Sequence, residues 1–387
     1  MAGRTQAALY AEIDHELSWS ERELPQRERT KHVHSLHPYL GKFVPQVAES
    51  LLRRGFAPGA LIYDPFAGSG TTLVEANVLG MDALGADVSA FNCMLMRVKT
   101  ERHDLSRVSA GLELALAAPP LAAPPASEWL GTWYAPAALA ELLGFRSAIQ
   151  QAGSPEVLSV VLSRAARSAR RVRHDDLDQP RMPVLEPYHC HKHKRTCRPV
   201  GHAQQFLRRY AADTVQRLAE FAGLRSRREV DVLHADARAA RLPSGIDGIV
   251  TSPPYPGLID YHEQHRYAYE LLKLDDRRDL ELGAATSGTS RRAVAEYCDG
   301  IVEVLGHTRG HLAPDARIAV VVNDSRDLYG EIARRSGLDL VQRTARHVNR
   351  RTGRRAGEFY EDVLWLRVSR RPAPRPSGRP RSPAPAA

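Results

Sequence analysis

Short apolar runs that stop at a turn residue alternate along this chain with stretches whose apolar positions recur every three or four residues. The first pattern marks strands and the second marks amphipathic helices. "LIYD" (Leu61–Asp64) runs into a glycine-rich turn and the helical "TTLVEANVLG", then "DALGADVS" and a second helix through Lys99. That βαβα beginning belongs to a parallel sheet covered by helices. Strand-like runs return in "EVDVLHADAR", "GIDGIVTSPPY" and "ARIAVVVNDS", and "EFYEDVLWLRV" closes the series. Between the two groups an Ala/Pro linker (Ala115–Ser127) leads into helical stretches ending with "QQFLRRYAADTVQRLAEFAG". The expected fold is therefore α/β, a doubly wound, mostly parallel sheet with a helical insertion. Residues 1–30 read as a polar lead-in, 31–100 and 230–368 as the sheet domain, and 101–229 as the insertion. Residues 369–387, rich in Pro and Arg, cannot pack a core and are expected to be disordered.

Composition narrows the class. With 387 residues, 43% apolar and 26% charged, the chain reads as a soluble globular protein. No run approaches the roughly 18 to 20 apolar residues of a membrane span. The first residues lack an apolar signal core, so no membrane partner and a cytoplasmic location are expected. Four cysteines (Cys93, Cys190, Cys197 and Cys298) do not make a disulfide scaffold in a chain of this length. Net charge is +9, of which the tail from Ser369 supplies five arginines, leaving +4 for the body. Basic islands at Ser163–Arg173, His189–Arg198 and Arg346–Arg355 point to a polyanionic partner, most simply nucleic acid, and make the insertion a candidate DNA-contacting region.

Two motifs carry the chemistry. "DPFAGSGTT" (Asp64–Thr72) has the strand, glycine turn and helix of a phosphate cradle. Yet a phosphate loop needs a lysine directly after its glycines, and here none follows until Lys99. A dinucleotide fingerprint needs a third glycine that is also absent. The turn still offers backbone N–H groups and close approach to a flat or zwitterionic ligand. "IVTSPPYPG" (Ile249–Gly257) ends another strand in a rigid rim, because consecutive prolines fix φ and remove two donors. Ser252, the carbonyl of Pro253, Pro254 and the ring of Tyr255 then suit gripping an exocyclic amine while stacking on its base.

Together these motifs resemble the S-adenosylmethionine-dependent DNA methyltransferases that modify exocyclic base amines, a resemblance weakest across about 101–229. It implies that Asp64, Pro65, Phe66, Ala67, Gly68, Ser69, Gly70 and Thr71 form the turn beneath the methionine and sugar of the cofactor. It implies that Asp87 reads the ribose hydroxyls and Asp236 sits beside the adenine. "HPYLGKF", with His37 and Tyr39, resembles the upstream segment that closes over the methionine carboxylate. Ser252, Pro253, Pro254 and Tyr255 would be the catalytic rim, acting on a DNA base flipped out of the duplex. A serine at the first rim position leans toward N4 of cytosine, with N6 of adenine and an RNA or tRNA base amine as alternatives. The resemblance places such an enzyme in a restriction-modification or similar system.

Two further segments invite a metal reading. Cys190 and Cys197, with His189, His191, His193 and His202 nearby, are residue types that zinc prefers. Their C-x₆-C spacing is wider than usual and no second cysteine pair exists, so no metal is expected and the segment reads as a basic loop. Asp260, His262, Glu263 and His265 follow the rim, where substrate contact or helix capping is the expected use.

Overall fold

The structure, a computed structural model, describes residues 13–20, 22–39, 41, 44–121, 127–177, 180–257, 259–348 and 359–370. The arginine-rich segment past Val348, the tail past Arg370, and Leu40, Lys42 and Phe43 lie outside the described residues.

The strands are β1 (Leu61–Asp64), β2 (Asp82–Asp87), a short pair β3 (Tyr188–Cys190) and β4 (Arg195–Cys197), then β5 (Val230–His234) and β6 (Ile246–Thr251). β7 (Leu312–Val322), β8 (Leu338–Val348) and β9 (Phe359–Val368) complete the set. Seven of them form one sheet in the order β5-β2-β1-β6-β7-β9-β8, in which β9 alone runs against the rest. The expected doubly wound, mostly parallel α/β sheet is what the chain forms. Chain order reverses between β1 and β6. Crossovers on either side leave a crevice at their carboxyl ends, where such sheets bind ligands.

Both faces of the sheet are covered, which is why its strands read as continuous apolar runs. Ile62, Ala319 and Val321 face one layer with Val47 and Leu51 of α1 (Pro45–Gly55) and Leu73 of α2 (Thr71–Val78). Their neighbours Tyr63, Val320 and Val322 face the other layer, built on Tyr297, Ile301 and Val304. α3 (Ala90–Thr100) begins where the Ser89 hydroxyl accepts from the Asn92 N–H.

The insertion follows: α4 (Leu105–Ala117), α5 (Glu128–Trp133), α6 (Pro136–Ala148), α7 (Pro155–Ala169) and α8 (Gln204–Ala222). Its apolar core is shared with the sheet layer. Phe91, Leu95 and Val98 of α3 belong to it, as do Tyr267, Ala268 and Leu271 of α9 (Arg266–Leu272). On α7, Arg164 is buried and reaches α8, donating to Asp213 at 2.5 Å and Thr214 at 2.8 Å. α10 (Arg291–Arg309) and α11 (Tyr329–Arg335) cover the far end of the sheet.

One basic island is not a phosphate grip where it is described. Arg346 lies inside β8, only 2% exposed, paired with Glu361 of β9 at 2.7 Å and donating to the Leu17 carbonyl at 3.2 Å. A charge count along the chain cannot see a carboxylate on the neighbouring strand. The lead-in is also engaged: Asp14 N–H donates to the Ala345 carbonyl at 2.7 Å, and Ile13 bridges Ala345. Residues 13–18 thereby cover the edge strand β8, whose open backbone would otherwise invite pairing with another chain.

Gly85 in β2 lies beneath the glycine turn: a Cβ there would stand 2.8 Å from Leu73 Cδ2 and 2.9 Å from Ala67 Cβ. Gly85→Val is expected to cost about 1–3 kcal/mol by overpacking. It should lower the urea midpoint at unchanged slope, with Gly85→Ala intermediate. A wild-type midpoint for the valine variant would contradict this packing.

Candidate active site

The glycine turn leaves β1 at Asp64 and enters α2 at Thr71. Gly68 (φ +51°) and Gly70 (φ +79°) adopt left-handed backbone, and each is closely covered. A Cβ on Gly68 would meet Tyr39 Oη at 2.9 Å, and one on Gly70 would meet Met96 Cγ at 2.9 Å. Both the conformation and the space require glycine. Lys99, too distant in sequence to serve a phosphate loop, does meet this turn. Fully buried on α3, its ammonium donates to the Ser69 carbonyl at 2.5 Å from behind.

Two carboxylates organise the turn, Asp64 buried and Asp87 partly exposed. Asp87, ending β2, accepts from the Gly68 N–H at 2.9 Å, the Ser89 N–H at 2.8 Å and Asn92 Nδ2 at 3.2 Å. Asp64, ending β1, accepts from the Phe66 N–H at 3.1 Å and from Thr251 Oγ1 of β6 at 2.6 Å. Burial raises both carboxyls to a pKa of about 6, against the hydrogen bonds that favour their ionised forms. Thr72 adds a second tie across the crevice, donating to the Val250 carbonyl at 3.2 Å.

A cleft of about 840 Å³, part of it open to solvent, lies above these groups. Tyr39, Asp64, Pro65, Phe66, Ala67, Gly68, Ser69, Thr71, Asp87, Asp236, Ser252 and Pro254 all line it, so residues from the three ends β1, β2 and β6 meet in one space. Asp236 reaches it from the end of β5, but Arg238 grips its carboxylate, with Nη2 at 2.6 Å from Oδ2. Burial works against that pairing, yet the Arg238 hydrogen bonds and charge hold the carboxyl below its ordinary range.

Four site candidates do not line this cavity: His37, Gly70, Pro253 and Tyr255. His37 is fully buried beside Phe91 and His265, with ring centroids 4.9 and 5.4 Å away. Burial and the neighbouring His265 keep it neutral, well below the usual histidine range. Its Nδ1 lies 2.8 Å from the Pro38 carbonyl and its Nε2 3.4 Å from Tyr267 Oη. Tyr255 turns to an adjoining recess of about 630 Å³, with Asn323, Asp324 and Phe359 in its wall. Its hydroxyl donates to Glu361 at 3.0 Å, and burial reinforced by that carboxylate pushes the phenol well above its ordinary pKa.

The histidines after the rim are core groups. His265 stacks on Phe91 at 4.5 Å and Tyr39 at 5.6 Å, its pKa lowered to about 3 chiefly by burial. His262 is buried, its Nδ1 against Glu281, and Asp260 accepts from the Thr286 N–H at 3.2 Å. Asn92, Tyr261 and Glu281 line the cavity although sequence reasoning passed them over. A polar Asn within the apolar "AFNCMLM" was a readable signal for the first. Glu281, on a long connection, had none.

Charge and unmet hydrogen bonds describe what the cavity suits. Asp64, Asp87, Asp236 and Glu281 line it and, among the described residues, no Lys or Arg does. Ser69 Oγ, Thr71 Oγ1 and Asn92 Oδ1 are buried on it without a hydrogen-bond partner among the described residues. Such groups await a ligand that supplies donors and acceptors. A phosphate-bearing ligand would face four carboxylates; a cationic ligand carrying hydroxyl and amine groups fits.

Residues 9–96, which include the turn and Asp87, match the family model described as DNA methylase. The chain is 33% identical to the Type II methyltransferase M.MjaII of Methanocaldococcus jannaschii, over 89% of this chain and 82% of that protein. It is 35% identical to the Type II methyltransferase M.MvaI of Kocuria varians over 21% of this chain and 20% of that one. Among solved structures, TrmN from Thermus thermophilus superposes at a TM-score of 0.34 and 14% identity, over 85% of this chain and 50% of that one. The glycopeptide N-methyltransferase MtfA complexed with S-adenosylmethionine does so at 0.31 and 10%, over 95% and 98%.

The Asp64–Thr251 contact makes a pH-dependent prediction. Because burial raises Asp64 to about 6 in the folded protein from an ordinary 3.8, its protonated form favours folding. That contribution is complete below about 3.8 and is lost as pH rises through about 6. The Thr251 hydroxyl relieves the loss by bonding the ionised form. Thr251→Val should therefore destabilise by about 1–3 kcal/mol at pH 8 and by less at pH 5. Urea melts at both pH values measure this; an equal cost at both would show the bond does not serve the carboxylate.

Proposed function

The chain belongs to the DNA amino-methyltransferases, whose methyl donor is S-adenosylmethionine, and from that membership we propose that it methylates N4 of cytosine in duplex DNA. The observation that supports this reading most is one juxtaposition: Ser252 and Pro254 open into the same acid-lined cavity as Gly68 and Asp87. When bound, S-adenosylmethionine supplies a methyl group on a positively charged sulfur. The partnerless Ser69 and Thr71 hydroxyls and Asn92 would take up its polar groups, Asp87 its ribose hydroxyls, and Tyr39 would close over the turn. Asp236, at the end of β5, would flank the adenine.

Ser252 Oγ and the Pro253 carbonyl would each accept one hydrogen of the target amine. With both hydrogens held, the nitrogen lone pair points into the cavity, and positive charge developing on nitrogen is met by two oxygen dipoles already in place. Pro254 keeps the rim rigid, and the surplus proton is released to solvent. Tyr255 would receive the base in its own recess after extrusion from the duplex. Its hydroxyl, fixed by Glu361, holds the ring in one orientation. The insertion would hold the DNA backbone, through exposed cations such as Lys192, Lys194 and Arg195. Serine at the first rim position favours cytosine over N6 of adenine.

Labelled S-adenosylmethionine, duplex DNA and nucleoside mass spectrometry test the reading. N4-methylcytosine is expected; N6-methyladenine, or methylation of tRNA alone, would overturn it. Tyr255→Ala should leave S-adenosylmethionine affinity unchanged by calorimetry and lower turnover roughly 10- to 100-fold, the worth of one base stack. Equal loss of cofactor affinity would refute the division between the two cavities.

A further inference from the structure

Outside the catalytic crevice, one side-chain cluster stands apart from the rest of the molecule. Between α7 and α8 the chain forms the hairpin β3–β4, with Cys190 opposite Arg195 and Tyr188 opposite Cys197. Both thiols point inward and are buried, at 0% and 8% exposure. His193, from the hairpin's turn, and His174, from the segment after α7, complete a group of four ligand atoms within 4.8 Å of one another. The C-x₆-C spacing had spoken against a metal because two of the four ligands are histidines, one of them 16 residues before Cys190.

We propose that His174, Cys190, His193 and Cys197 bind one structural Zn²⁺ ion. Zinc takes thiolate sulfur at about 2.3 Å and imidazole nitrogen at about 2.0–2.1 Å in a tetrahedron, which requires S···N edges of about 3.6 Å. The observed edges are 3.8 Å from Cys190 Sγ to His174 Nδ1, 3.6 Å from Cys190 Sγ to His193 Nδ1, and 3.4 Å from His193 Nδ1 to Cys197 Sγ. Two soft sulfurs and two imidazoles gathered within 4.8 Å of one another, His193 on the solvent side, select zinc over the harder divalent ions.

The neighbourhood fits a structural site. The His174 N–H donates to Tyr188 Oη at 3.0 Å, and Arg173 donates to the His189 carbonyl at 2.7 Å, which fixes the distant ligand against the hairpin. The hairpin's own apolar core is only Tyr188, Cys190 and Cys197, with Val184 packed against it, separate from the three larger clusters. So small a core cannot hold a two-stranded ribbon, and such pieces are held by a metal or a disulfide. The turn also carries Lys194 at φ +52°, an unfavourable conformation that needs local support. Two thiolates neutralise the ion, so the exposed lysines and arginines of the knuckle keep their full charge.

The full-length protein, purified without chelator from zinc-supplemented cells, should carry close to one zinc per chain by elemental mass spectrometry. Cys190→Ser and His193→Ala should each lower this at least tenfold, while His191→Ala, an exposed neighbour, should leave it at one. Cobalt-substituted protein should show the visible absorption of a tetrahedral two-thiolate site. The zinc content of the wild-type protein tests the site independently of whether the cysteine variant keeps its hairpin. Wild-type protein without zinc that also takes up no added zinc, or with Cys190 and Cys197 joined as a disulfide, would overturn the proposal. So would zinc retained in both ligand variants. None of these readouts depends on methylation, so failure here and failure of the proposed activity are separate.

Discussion

A buried hydrogen bond 2.6 Å long, from Thr251 Oγ1 to Asp64 Oδ1, is the shorter of two side-chain ties between the motifs on which this molecule depends, the other running from Thr72 to the Val250 carbonyl. Asp64 ends the strand before the glycine turn, and Thr251 ends the strand before the serine-proline rim. They come from strands adjacent at the point where the sheet order reverses. Everything at the site is placed relative to that contact. The same carboxylate also accepts from the Phe66 N–H at 3.1 Å, so the turn is positioned from the rim and not by its own residues alone. Asp87 repeats the device one strand away, gripping Gly68. Carboxylates fixed by backbone N–H groups make a rigid frame in which unmet groups such as Ser69 Oγ and Thr71 Oγ1 stay aimed at the cavity.

Much of this is legible in the sequence itself. Strand-ending acids, glycines that needed positive φ, and a double proline at a strand end are local signals, and each refers to backbone geometry that sequence dictates directly. The missing lysine was a valid argument against phosphate, but its sequel was not visible. Lys99 does reach the turn, from the side opposite the cavity, because α3 packs its length beneath it. What escaped the sequence is consistently tertiary. His37 lies outside the cavity with its ring packed on Phe91; Arg346, in an island that reads as basic surface, is a buried partner of Glu361. His174 gave no sign of joining Cys190 and Cys197, since no spacing rule spans a loop of that length. Glu281 reaches the cavity from a connection with no periodicity at all.

The insertion is physically continuous with the site. Its core contains Tyr267, Ala268 and Leu271, which lie on the helix that follows the rim, and Phe91, which carries His37 and His265. A rotation of the insertion relative to the sheet would have to repack those side chains. In a close-packed interior such changes are discrete. The placing of the insertion and the setting of Tyr39 over the glycine turn therefore share one set of contacts.

The cover over β8 has a consequence for how the molecule comes into being. Leu17 meets Arg346, Asp14 meets Ala345, and His347 donates to Ser18, pairings that close loops of about the whole chain. Contacts so remote in sequence carry a large loop-closure cost and are slow to form. During synthesis residues 13–18 leave the ribosome long before β8, the strand they cover, so the cover has nothing to pair with until almost the whole chain is made. Until the last hairpin arrives, β7, whose outer partner is β9, presents unpaired backbone to whatever is near, and that interval is when this chain is most exposed to misassembly.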